Sequence, residues 1–76
     1  IFNIALGDNS FVSGGFDNTA SGTYSSVLGG ELNIASGPKS SISGGYDNNA
    51  LGTYSVVLGS AGNTFLDNAP YGILIE

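Results

Sequence analysis

Asparagine returns at every fifteenth position along this chain, at Asn3, Asn18, Asn33, Asn48 and Asn63. A fixed period of that length is the mark of stacked repeats, because each unit must meet the same neighbour in the same way. Other columns keep the same step. Ala5, Ala20, Ala35 and Ala50 lie two places after the asparagines, with Phe65 breaking the set, and Gly7, Gly22, Gly37 and Gly52 follow. Ser10, Ser25, Ser40 and Ser55 then precede Val12, Val27, Ile42 and Val57. Gly14, Gly29, Gly44 and Gly59 come next, with Gly15, Gly30 and Gly45 directly after them. One unit reads NxAxGxxSxVxGGxx. Eleven of the 13 glycines fall in these columns, so they are registered structure and not a drifting flexible linker.

Within each unit the fixed residues stand two apart, NxAxG and then SxVxG, which is the period of a strand and not of a helix. Each unit is expected to form two short strands and two turns, with glycine at turns that need positive φ. Coil stacked on coil at about 4.8 Å pairs every strand in parallel with the next and sets each Asn amide above the last. An all-β parallel β-roll or solenoid of 15-residue coils follows, with about five coils over residues 1–66. Beyond Gly62 the columns decay, with Asp67 in place of Gly and Pro70 in place of Ser, so residues 67–76 are read as a cap or transition segment.

The opposite parity faces outward, and it is not uniformly polar. Ile4, Leu6, Ile34, Leu51 and Leu66 lie on that face of the NxAxG strands, and Phe11, Leu28, Val56 and Leu58 on that of the SxVxG strands. Such faces mark an interface, so self-association is expected, with the NxAxG face inward. Composition points the same way. With 76 residues, no Cys and no His, neither a disulfide nor a Cys/His zinc site is available to staple a small core. A net charge of −5, with Lys39 the single cation, argues against nucleic acid and anionic membranes as partners. No apolar run approaches the length that spans a bilayer, so membrane insertion by this segment is not expected. The chain opens on Ile1 within a repeat, as expected of a fragment or a processed chain.

Candidate chemistry is sparse. Asp17 and Asp47 share a column two coils apart, about 9.6 Å by strand spacing, a separation near that of inverting glycosidases. In GFDN and GYDN, however, they read as turn residues, and without His or Cys no nucleophile or base partner stands by, so no catalytic residue is expected. The acidic residues match neither calcium-binding nonapeptides nor EF-hands, and no metal or cofactor is expected. Phe16 and Tyr46 form one exposed aromatic column, Tyr24 and Tyr54 another, each pair following a looser 30-residue super-repeat. These rings, with Asp17 and Asp47, are the candidate ligand-binding residues, able to stack on sugars or anchor a protein, or else to shield the turns. The outward columns are too irregular for an ice-matching array.

The stretches NIALGDNS, NTASGTYSSVLGG, NIASGPKSSISGG and NNALGTYSVVLGS, from residue 3 to about 60, resemble the head repeats of trimeric autotransporter adhesins. Related rolls occur in fibre proteins of bacteriophages and predatory bacteria. The resemblance implies a left-handed roll, a homotrimer, display at the cell surface or on a tail fibre, and attachment to a host surface protein, matrix or glycan. A purely structural spacer or filament subunit is the alternative reading.

Overall fold

The computed structural model describes residues 1–59, together with the backbone of Thr64–Phe65 and Ile73–Leu74. Leu66 and most of the 67–76 segment lie outside the described residues. Ten two-residue strands follow one another along the chain. They are β1 (Ile4–Ala5), β2 (Phe11–Val12), β3 (Thr19–Ala20), β4 (Ser26–Val27), β5 (Ile34–Ala35), β6 (Ser41–Ile42), β7 (Asn49–Ala50), β8 (Val56–Val57), β9 (Thr64–Phe65) and β10 (Ile73–Leu74). Odd strands stack in the order β1-β3-β5-β7-β9, and even strands in the order β10-β8-β6-β4-β2. All pairings are parallel. The protein is an all-β parallel solenoid of about four turns, and the expected 15-residue coil is its unit: Ile4 pairs with Thr19, Thr19 with Ile34 and Ile34 with Asn49. The last step differs, because Ile73 pairs with Val56 across 17 residues (73 − 56).

Parity decides which side chains go in. Ala20, Ala35 and Ala50 from one sheet meet Val27, Ile42 and Val57 from the other, and all six are fully buried. The core is thin, so the backbone ladder carries much of the cohesion. Thr19 N–H donates to the Asn33 carbonyl at 2.8 Å, Ser26 to Ser40 at 3.0 Å and Leu28 to Ile42 at 2.9 Å, and the pattern recurs in each coil.

Two polar columns are buried as well. Asn18, Asn33 and Asn48 are fully buried, and each keeps its amide occupied. Asn33 Oδ1 accepts the Asn48 backbone N–H at 2.9 Å, and Asn33 Nδ2 donates to the Gly29 carbonyl at 3.1 Å and the Gly45 carbonyl at 3.0 Å. The asparagine ladder is therefore mainly amide to backbone. A direct amide pair occurs between Asn48 Nδ2 and Asn33 Oδ1, at 3.1 Å. The serine column is different: Ser10 Oγ donates to the Gly7 carbonyl at 2.6 Å, whereas the buried Oγ atoms of Ser25, Ser40 and Ser55 have no hydrogen-bond partner.

Glycine's role departs from the turn-based expectation. Gly15, Gly30 and Gly45 do adopt positive φ, at 93°, 92° and 105°. The Gly22 column does not; a Cβ there would collide with the Gly37 carbonyl of the next coil, so close approach of backbones excludes a side chain. The turns instead place bulky residues in the left-handed region, in two columns: Phe2, Asp17, Leu32 and Asp47, and Asn9, Tyr24, Lys39 and Tyr54, all with φ between 57° and 60°. A hydrogen bond back to the preceding coil accompanies this conformation. Asp17 N–H donates to Ile1 at 2.8 Å, Tyr24 to Asp8 at 2.8 Å, Lys39 to Thr23 at 2.7 Å and Tyr54 to Pro38 at 2.9 Å.

Candidate recognition surface

Each coil has two turns, one after each strand, and the Ala and Val faces of the two sheets close on each other between them. The candidate aromatic residues therefore part company. Tyr24 and Tyr54 stand at the turn that follows the NxAxG strand, and Phe16 and Tyr46 at the turn that follows the SxVxG strand. One pair occupies one edge of the flattened coil and the second pair the opposite edge, so no ligand lying on one edge reaches all four.

Phe16 and Tyr46 flank Glu31 in a ladder of parallel bridges, Phe16 with Glu31 and Glu31 with Tyr46. Asp17, Glu31 and Asp47 are exposed beside these rings, which makes this edge acidic and aromatic. Phe2 meets Phe16 edge to face, with centroids 6.1 Å apart. Asp17 and Asp47 are left-handed turn residues, a conformation that Asp accepts more readily than bulky side chains do. No set of three metal-ligating side chains converges among the described residues, and no enclosed pocket is found there.

The other edge carries Asn9, Tyr24, Lys39 and Tyr54, one per coil. Lys39 Nζ donates to Tyr54 Oη at 3.0 Å and lies 5.0 Å from the centre of that ring. Sequence reasoning named the tyrosines and left Lys39 out. Its place in the same column, fifteen residues from each of them, was the available signal.

Of the expected interface residues, Ile4, Leu6 and Ile34 are exposed and Leu51 is half-buried, all on the outer face of the NxAxG sheet. Thr19, Ser21, Ser36 and Asn49 stand among them in the same two columns, so the face is mixed. No helix among the described residues is long and apolar enough to cross a membrane.

Residues 10–22 match the family model of the Ubiquitous surface protein adhesin repeat. The matched stretch runs from the Ser10 column through β2, the acidic-aromatic edge and β3 to Gly22. No curated protein matches the chain. The repeat match, together with the 15-residue parallel coils, fits a head repeat of a trimeric autotransporter adhesin.

Proposed function

We propose, on the premise of a chain built from adhesin head repeats, that this segment is the extracellular adhesive head or tip module of a trimeric surface adhesin or fibre, holding a host cell, matrix or glycan ligand. The observation that carries the assembly is the set of apolar side chains exposed on the outer faces. Leu6 is 71% exposed and Ile4 46%, and Phe11 and Leu28 on the second sheet are half exposed, although burying such side chains is worth roughly 1.5–3 kcal/mol each. Three left-handed rolls side by side, with Ile4, Leu6, Ile34 and Leu51 toward the common axis, use the face of the NxAxG sheet and leave the turn edges outside. The rings of Phe16, Tyr24, Tyr46 and Tyr54, with Asp17 and Asp47, are then the ligand-facing groups.

The match to a surface adhesin repeat supports a location at the cell surface. Neither adhesin repeats nor β-solenoids are typical of enzymes, and we read the chain as non-catalytic, without cofactor or metal. Residues 1–66 serve as the roll and 67–76 as its closing or transition segment, a division supported by the 17-residue step that ends at Ile73. Light scattering on a sizing column tests the reading. A mass of three chains that survives dilution is the expected result; a folded monomer sinks the trimer, and open-ended polymers support a spacer or filament.

A further inference from the structure

The tetrapeptide Gly-Thr-Tyr-Ser occurs twice, at residues 22–25 and 52–55, thirty residues and therefore two coils apart. The solenoid makes this duplication a translation: the same Thr-Tyr pair is presented twice on one edge, about 9.6 Å apart along the stacking axis. Tyr24 is 57% exposed and Tyr54 41%. Thr23 is exposed and Thr53 half-buried beside them, and Lys39 occupies the coil between.

The side chains at this edge are not what the backbone asks for. At φ near 59° and 60°, Tyr24 and Tyr54 sit in a region that glycine or asparagine enters at lower cost, and Asn9 fills the same column in the first coil. The fold imposes this φ at both turns of each coil, and at this edge the sequence fills it twice with an exposed ring.

From this repetition we infer that the Tyr24–Lys39–Tyr54 column is a platform for a linear, uncharged oligosaccharide lying along the solenoid axis. The inference names a ligand class for the adhesive reading and rests on it. Sugar rings stack their C–H faces on Tyr24 and Tyr54, while Thr23 and Thr53 offer hydroxyls to the sugar edges. The intervening sugar lies over Lys39, whose ammonium donates to Tyr54 Oη and stands between the two rings, in the coil that carries Pro38 where its neighbours carry Thr23 and Thr53. In a β-1,4-linked chain each sugar is turned over relative to the last, so the same face returns at every second ring. Two Thr-Tyr pairs of the same sequence, two coils apart, fit that alternation. A net charge of −5 disfavours sulfated or uronate-rich polyanions and selects neutral chains.

The test is titration of the full chain with β-1,4-linked N-acetylglucosamine oligomers of one to five units, followed by calorimetry or by amide chemical shifts. Affinity should rise when the third sugar is added, because three rings are the shortest chain that reaches both tyrosines, and then level off. Tyr24→Gly and Tyr54→Gly should each weaken binding about tenfold, the loss of one stacked ring. Both variants place glycine at a left-handed position, so they should fold, and hydrogen exchange verifies it. Leu32→Gly, at the left-handed turn position of the opposite edge, should leave binding unchanged. Binding that is absent, independent of oligomer length, or equally sensitive to Leu32→Gly overturns the platform. Adhesion of the chain to host cells or matrix is measured in parallel. Adhesion that persists in the Tyr24→Gly, Tyr54→Gly double variant, with no oligomer binding, sinks the platform and leaves the adhesive reading standing. Length-dependent oligomer binding by a chain that adheres to neither does the reverse.

Discussion

Glycines that look alike in the sequence do different work. A Cβ on Gly22 meets the backbone of the next coil, whereas one on Gly29 meets nothing within 4 Å. Gly22→Ala should therefore cost about 3 kcal/mol or more, since rigid backbone has to move, while Gly29→Ala should be neutral or stabilising by up to about 1 kcal/mol through the unfolded chain. Denaturant midpoints of the two variants decide it. The buried polar columns differ in the same way. Asn33→Ala orphans the Asn48 N–H and removes the donor that serves the Gly29 and Gly45 carbonyls, so a loss of about 3 kcal/mol or more is expected. Ser40 Oγ has no partner to lose, and Ser40→Ala should change stability by less than about 1 kcal/mol, on the stabilising side, in the same unfolding experiment.

At the scale of the element, the coil is the unit of insertion and deletion. Removing residues 33–47 joins Leu32 to Asn48 and leaves every column in step, so the shortened chain should remain a β-solenoid by circular dichroism, with a lower melting temperature. Removing Ser41 alone shifts Ile42 to the outer face and breaks the pairing of Ser26 with Ser41 and of Ile42 with Val57. That single deletion should cost more stability than the loss of the whole coil, as read from thermal unfolding of the two variants. The strands are two residues long because each coil turns twice in fifteen residues, and the asparagine and glycine contacts at the corners hold what so short a strand cannot.

For the whole molecule, the proposed assembly turns on the outer face of the NxAxG sheet. Ile34 is 39% exposed between Thr19 and Asn49, so Ile34→Ser leaves the coil core untouched. Paired with Leu51→Ser, it should lower the solution mass toward one chain at micromolar concentration while the circular dichroism spectrum stays the same. An unchanged mass would place the contact on the other sheet, around Phe11 and Leu28. In that proposal the edges are left for recognition: one is acidic and aromatic, with Phe16, Glu31 and Tyr46, and the other carries Tyr24, Lys39 and Tyr54.

Period and parity were legible from the residues alone, because a strand repeats every two residues and a stacked coil forces each column to meet itself. That settled the coil length, the inward Asn, Ala, Ser and Val columns and the outward apolar ones. Three things had to wait for the folded chain. The Gly22 column is set by the approach of neighbouring backbones, and no one-dimensional pattern separates that from a turn's need for positive φ. The asparagine amides bond mostly to glycine carbonyls and backbone N–H groups, partners chosen by the corner geometry of the next coil. The aromatic residues divide between opposite edges because the chain reverses between positions 5 and 7 of each repeat, and only that reversal in space decides which rings stand together.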